Sequence, residues 1–313
     1  MKAVIMAGGR GSRLRPLTNN CPKPMIPFAN KPVLEHILKL LKRCGVTEVV
    51  ITVHYLADQI QDYFSDGRRL DMQIQYAVEA IPLGTAGGVK NAASFLTDEP
   101  FLVISGDVIT DVDLLTAWQA HCRNQAMATL VLKQVPNPEQ YGIVAIDELG
   151  RIIHYLEKPT QLHPPSCLVN TGIYILDPQI LALIPPNRPA DFSYDIFPCL
   201  LREDVAMFGH QTEGYWSDIG TIESYLQTLS DALQGQVKHL DIKSQVNGHS
   251  WFHQLASLIP SALIPSAFIP ETLMLEVLIL EALTDEAFVS ETFDNTWFNY
   301  LPNYEVWSDK AQL

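Results

Sequence analysis

The chain has 313 residues, 47% of them hydrophobic and 18% charged, which suits one large or two smaller folded domains and argues against disorder. Its 35 acidic and 21 basic residues give a formal charge of −14, which repels a phosphodiester backbone and removes nucleic acid from the expected partners. A small nucleotide stays admissible, because it feels only the local field of its pocket.

The N-terminus has no apolar signal core, no apolar run approaches the ~18 residues of a membrane span, and Cys21, Cys44, Cys122, Cys167 and Cys199 form no C-x-x-C pair. A cytoplasmic chain without a membrane, a disulfide framework or a cysteine zinc site is expected. Short apolar runs then alternate with helical patterns, which predicts an α/β fold on a largely parallel sheet. Residues 2–6 read as a buried strand ending in glycines. Residues 32–44 read as a helix with proline at its start, Val33, Leu34, Ile37, Leu38 and Leu41 on one face, and Gly45 as its stop. A strand over 48–53, a helix over 55–64 and a strand over 74–78 follow. A glycine-bearing loop over 82–88, a helix through Phe95 and a strand over 101–105 come next. Beyond Met127 the pattern turns to strands with polar turns, including 129–133, 152–156 and 171–176, closed by an amphipathic helix over 221–233.

The chemistry concentrates in Ala7-Gly8-Gly9-Arg10-Gly11-Ser12-Arg13-Leu14-Arg15-Pro16-Leu17-Thr18, followed by Pro22-Lys23-Pro24-Met25. Glycines directly after a strand turn the backbone tightly and offer N–H groups to an anion. Arg13 and Lys23 add positive charge suited to a triphosphate and to its transition state. A glycine cluster alone marks an ordinary tight turn; the arginines and the Pro-Leu-Thr and Pro-Lys-Pro segments make this one specific. Leu14 stands where a dinucleotide fingerprint needs its third glycine, which disfavours a dehydrogenase, and no Gly-Lys-Ser/Thr follows to make a Walker loop. Ser105-Gly106-Asp107 sets a carboxylate just after a buried strand, at the edge where open α/β sheets bind ligands. Taken alone, Asp107 with Asp111 reads as a capped turn, Asp218 equally as the N-cap of the last helix, and Glu157-Lys158 as solvated charge. The nine histidines have no metal-site spacing and read as structural, His36 and His121 on helices and His54 at a strand end.

Gly-Gly-x-Gly-Ser-Arg-Leu-x-Pro-Leu-Thr with a downstream Pro-Lys-Pro resembles the sugar-phosphate nucleotidylyltransferase family, colinearly from residue 1 to about 235. Pro27-Phe28-Ala29-Asn30-Lys31-Pro32 and Pro82-Leu83-Gly84-Thr85-Ala86-Gly87-Gly88 look most like its mannose-1-phosphate guanylyltransferases. The resemblance implies a Rossmann-like nucleotidyltransferase domain that joins an NTP to a sugar 1-phosphate and releases pyrophosphate. It implies that Ala7, Gly8, Gly9 and Gly11 line the phosphates, with Arg13 and Lys23 as the catalytic cations. Leu83, Gly84 and Thr85 would hold base and ribose largely through backbone groups. Asp107 and Asp218 would hold Mg²⁺, and Gly142, Glu157, Lys158, Asn170 and Gly172 the sugar phosphate. GTP and mannose 1-phosphate are the expected pair. Another NTP with glucose 1-phosphate, or a nucleotide-sugar-binding subunit without turnover, stays open.

The catalytic domain is expected to span 1–237. Over 238–313 the composition shifts, and apolar residues recur every five positions from Leu258 to Phe298. Glutamates at 271, 276, 281, 286 and 291 stand where a five-residue β-coil needs small inward residues, and stacked carboxylates would be costly there. A helix over 271–287 is the alternative, so this extension is left without an assigned structure. Relatives often continue into a six-residue β-helix that supports oligomerisation, which keeps a homo-oligomer open.

Overall fold

In the computed structural model, which describes residues 1–159 and 166–240, the first strand, β1 (Lys2–Met6), is buried on both faces. Ala3 and Ile5 enter one apolar layer and Val4 the other. A strand covered twice reads as a continuous apolar run, which is why the sequence marks it so clearly. After the glycine loop, the short β2 (Pro27–Phe28) and β3 (Lys31–Pro32) pair with each other and lead into α1 (Val33–Arg43). The expected face of α1 is buried, and the helix stops as expected at Gly45. There the Val46 N–H donates to the Leu41 carbonyl and the Gly45 N–H to the Lys42 carbonyl, closing the last turn around a residue at φ +76°.

The next units repeat the theme: β4 (Glu48–Val53), α2 (Ala57–Phe64), β5 (Gln73–Val78), α3 (Gly84–Asn91) and β6 (Phe101–Ser105). The segment expected as a loop over 82–88 is already helical from Gly84. Its small residues let the turn pack against residues 188–190, with the Ala86 and Gly87 N–H groups both donating to the Ala190 carbonyl at 3.0 Å. The expected helix through Phe95 ends at Asn91 and is followed by a 3₁₀ turn, Ala93–Phe95.

The remaining elements are β7 (Val108–Thr110), α4 (Leu114–Asn124), β8 (Ala128–Gln134), β9 (Gly142–Ile146), β10 (Ile152–Glu157), β11 (Leu168–Leu176), α5 (Phe197–Arg202), β12 (Met207–Gln211), β13 (Trp216–Asp218) and α6 (Ile222–Leu233). The main sheet has nine strands in the order β10-β9-β11-β6-β1-β4-β5, with β8 on β11 and β12 on β8. One half of it, β6-β1-β4-β5, is parallel, as expected; β11 turns antiparallel to β6 and begins the second half. Odd-numbered residues of β1 and β4 meet α1, α2, α4 and α6, while even-numbered ones meet α3 and α5, so the sheet is covered on both faces. Among the described residues no helix is long and apolar enough to cross a membrane. The expected extension, apart from residues 238–240, lies outside the described residues.

The chain runs outward from β1 to β4 and β5, then returns to place β6 on the other side of β1. In-register pairing aligns Met6 with Thr52 and with Ser105, so the strands end together. This is a switch point, and the glycine loop and Asp107 both leave the sheet from it.

His36 sits on α1 with its Nε2–H donating to the Phe28 carbonyl at 2.7 Å. Burial drives its pKa down from 6.5 to about 4. An unfolded chain therefore gains a proton below pH 6.5 that the folded protein refuses, so stability is complete above that pH and is lost as the pH falls towards 4. Between pH 7.5 and pH 5, urea titrations should show wild type losing roughly 1–2 kcal/mol that His36→Gln does not lose. Equal losses in both proteins would contradict this.

Candidate active site

The phosphate loop begins where β1 ends. Ala7 is buried and its N–H donates to Thr52, while Gly9 is exposed. Gly11 has φ +62°, and a Cβ there would stand 3.0 Å from both the Lys23 Cβ and the Thr18 side chain. Only glycine lets the loop close over Lys23. The Thr18 hydroxyl pins the turn by donating to the Gly11 carbonyl at 2.8 Å. Arg13 is exposed on the following 3₁₀ turn, with its guanidinium beside Gly220, close to Asp218.

Two carboxylates meet the buried Lys23. Gly106 packs against the end of β1, donating its N–H to the Met6 carbonyl at 2.9 Å, and so turns Asp107 into the switch point. Pairing of β13 with β7 sets Asp218 opposite Val108, and the Ile219 N–H donates to the Asp107 carbonyl at 3.0 Å. The Lys23 ammonium donates to Asp107 Oδ2 and lies 3.4 Å from Asp218 Oδ1. Ser105 adds a hydroxyl bond to Asp107 Oδ1 at 2.6 Å. Burial works against charge on Asp107, but the Lys23 charge and these hydrogen bonds hold its pKa below the usual value. Burial, then the Asp107 charge, pushes Asp218 up, and Lys23 and Arg13 only partly offset this. For Lys23, burial is outweighed by the two carboxylates, and its pKa rises.

The donor set suits a hard cation. Mg²⁺ takes one or two carboxylates and completes its shell with phosphate and water oxygens. Asp107 and Asp218 supply two carboxylates aimed at one point, where a cationic group already sits, and no third His, Cys, Asp or Glu joins them among the described residues. Asp218 is not the cap of α6: Thr221 and Ser224 form that capping box. Asp111 instead ties the chain together, accepting the Tyr215 N–H at 2.7 Å and the Lys238 N–H at 2.6 Å.

The segment expected to hold the base is fastened from within. Leu83 is buried; its N–H donates to Glu79 Oε2 at 2.9 Å and its carbonyl accepts from the Ala190 N–H at 2.9 Å, so its N–H is already engaged within the protein and its carbonyl keeps one lone pair. Gly84 is exposed at φ +74°, and the Thr85 hydroxyl donates to Asp191 Oδ2 at 2.8 Å. Sequence reasoning missed Glu79. This carboxylate is 6% exposed, and a Cβ on Gly8 would lie 3.3 Å from its Oε1, so it joins the phosphate loop to the start of α3. Burial pushes its pKa up. The available signal was a lone glutamate just after a strand, four residues ahead of Leu83, which no periodicity distinguishes.

The second half of the sheet meets this site at Gly172. β11 shifts register between Asn170 and Tyr174, with Gly172 at φ +75°. A Cβ on Gly172 would lie 3.1 Å from that of Ser105, the residue bonded to Asp107. Trp216 Nε1 donates to the Thr171 carbonyl at 2.9 Å, tying β13 to the same bend. Gly142 pairs with Glu157 across β9 and β10. The Glu157 side chain is 13% exposed, whereas that of Lys158 is 51% exposed with its Nζ 3.9 Å from Glu157 Oε1.

The sequence profile of the Nucleotidyl transferase family matches residues 2–235. The chain belongs to this family. It is 37% identical over 255 residues to a UTP–glucose-1-phosphate uridylyltransferase of Synechocystis, covering 77% of this chain and 66% of that one. It is 35% identical over 261 residues to a mannose-1-phosphate guanylyltransferase of Mycobacterium tuberculosis, covering 83% and 72%. The match thus spans about two thirds of the length of these curated relatives. Among solved structures, a putative glucose-1-phosphate thymidylyltransferase of Bacillus anthracis, crystallised with sucrose, superposes with a TM-score of 0.67 at 28% identity over 74% of this chain and 94% of that one. HddC of Yersinia pseudotuberculosis, complexed with GMP-PN, superposes with a TM-score of 0.64 at 27% identity over 74% and 99%.

Glu79→Ala strands the buried Leu83 N–H and should cost about 1–3 kcal/mol in urea unfolding, whereas Glu79→Gln, which keeps an acceptor oxygen, should recover most of it. Wild-type stability in Glu79→Ala would show that the bond does not hold the segment.

Proposed function

We propose that the chain transfers a nucleoside monophosphate from an NTP to a sugar 1-phosphate, giving an NDP-sugar and pyrophosphate, with GTP and mannose 1-phosphate as the preferred pair. The observation that carries this reading is the contact of Gly172 with Ser105, because it brings the acceptor segment to the residue bonded to Asp107, beside Lys23 and the phosphate loop. A reaction between two phosphates needs those parts in one place. Membership of the family and the names of its relatives support the reaction class. The guanylyltransferase relative and the GMP-PN complex support guanine.

In this reading a phosphate oxygen of the sugar 1-phosphate attacks the α-phosphorus of the NTP, and pyrophosphate leaves. The attacking oxygen is already ionised, so no side chain has to act as general base. The obstacle is repulsion between two anions, and the chain answers it with positive charge. Arg13 and Lys23 flank the phosphate loop, and N–H groups from Gly8 to Gly11 face the triphosphate. A divalent cation, Mg²⁺ by preference, held by Asp107 and Asp218 supplies the remaining charge neutralisation when bound. With those carboxylates engaged, the Lys23 ammonium is released to the phosphates. Glu157, Lys158 and Gly142 border the sugar phosphate. The catalytic domain comprises residues 1–237, works in the cytoplasm, and leaves 238–313 as an extension outside the chemistry.

The uridylyltransferase relative favours one competing pair, UTP with glucose 1-phosphate. Five NTPs tested against mannose and glucose 1-phosphates, scored by released pyrophosphate, decide between them. GTP with mannose 1-phosphate should give the highest rate, and no pyrophosphate from any pair would leave a binding subunit instead. With the best pair, Arg13→Ala and Lys23→Ala should each lower kcat/KM about 100-fold without altering the far-UV circular dichroism. Near-wild-type rates in both variants would remove the phosphate-loop assignment.

A further inference from the structure

Asn170 is expected from the sequence to line the sugar pocket, yet its amide is almost fully occupied inside the protein. Its Nδ2 donates to the Tyr155 hydroxyl at 3.1 Å and to the Tyr174 hydroxyl at 3.0 Å. Its Oδ1 accepts the Gly172 N–H at 3.0 Å. That last bond fixes the amide orientation, because the flipped group would set N–H against N–H. An asparagine has two donors, both taken here, which leaves a single lone pair for any ligand.

The bonds converge on Tyr155. Its oxygen lies 3.0 Å from Glu157 Oε2 and 2.8 Å from Ser193 Oγ, and it receives the Asn170 N–H. A phenol has one hydrogen, and the carboxylate is its strongest acceptor, so Tyr155 donates to Glu157 while Ser193 donates to Tyr155. Tyr155 is 7% exposed, and burial keeps its pKa far above neutrality, so its hydroxyl remains a donor at every working pH. Each neighbour is itself anchored. Tyr174 packs edge-on against Phe197 with ring centroids 5.0 Å apart. The Ser193 N–H is held by Asp191 Oδ1 at 2.8 Å, and the Thr85 hydroxyl donates to Asp191 Oδ2. A Cβ on Gly142 would fall on both the Tyr155 hydroxyl and Glu157 Oε2, so only glycine lets the cluster close.

We propose that Tyr155 is a positioning residue for Glu157, that Asn170 serves the acceptor chiefly by orienting Tyr155, and that Glu157 meets the sugar hydroxyls through Oε1, the oxygen Tyr155 leaves open. This rests on the sugar-phosphate reading of the site. It turns an expected pocket contact, Asn170, into part of the frame, and adds Tyr155 and Ser193, which the sequence does not single out.

The test is steady-state kinetics on the full chain with GTP or UTP against mannose 1-phosphate or glucose 1-phosphate, whichever pair wild type turns over best. Tyr155→Phe should raise the KM for the sugar 1-phosphate about tenfold, the size of one lost charge-assisted hydrogen bond, and leave the KM for the NTP unchanged. In a Glu157→Ala background, the same substitution should add less than about twofold, because the carboxylate it aims is gone. A parallel rise in both KM values, or full additivity with Glu157→Ala, overturns Tyr155 as a positioning residue while leaving the sugar-phosphate reading intact. No pyrophosphate from wild type with any of these pairs overturns that reading and this proposal together.

Discussion

Asp107 and Asp218 can both stay ionised at one point in the protein only if a positive charge sits between them. Two unit charges about 4 Å apart in a partly buried setting repel by roughly 4 kcal/mol, which the described structure offsets with the Lys23 ammonium. Much of the local architecture follows from that constraint. The short β7–β13 pair carries Asp218 across the chain to Asp107, Gly106 lets the strand end turn, and Gly11 makes room for the lysine stem. In the proposed reading, Arg13 and Lys23 at the edge where the parallel strands end are the local positive charge through which a strongly acidic chain receives anionic substrates.

The two halves of the sheet are joined at that edge by direct contacts. Gly172, at the register shift of β11, lies against Ser105, and Trp216 bonds the carbonyl of Thr171. On the opposite side, Thr85 bonds Asp191, which caps the turn carrying Ser193, and Ser193 reaches Tyr155. The segment proposed for the nucleotide base and that proposed for the sugar therefore rest on a common frame. A static frame of this kind suits a reaction whose catalysis is mainly positioning and charge neutralisation.

The parallel half was legible because each element carried its own signal. β1 is apolar on both faces, α1 has a 3.6-residue stripe, and Gly45 supplies the left-handed residue that ends it. The start of α3 was hidden, since Gly84, Gly87 and Gly88 read as loop until residues 188–190 pack against them. α4 showed itself only through the helical placement of His121, β9, α5 and β12 lie in short, mixed segments, and three-residue strands such as β7 and β13 are too short for periodicity. At the site, the family resemblance, more than the residues taken alone, pointed to residues that the fold does assemble, including Lys23 with Asp107 and Asp218. Glu79, Tyr155 and Ser193 escaped because their roles come from tertiary neighbours: a tyrosine in a strand reads as core, and its hydroxyl partners lie up to 38 positions away.

In the proposed function, Asp107 and Asp218 together hold one divalent cation beside Lys23 and the bound nucleotide. Manganese(II) titration of the full chain with a non-hydrolysable GTP analogue, free metal being read by electron paramagnetic resonance, tests it directly. Wild type should bind the ion saturably, and Asp107→Asn and Asp218→Asn should each weaken it about tenfold or more. Wild-type manganese affinity in either variant would contradict the account.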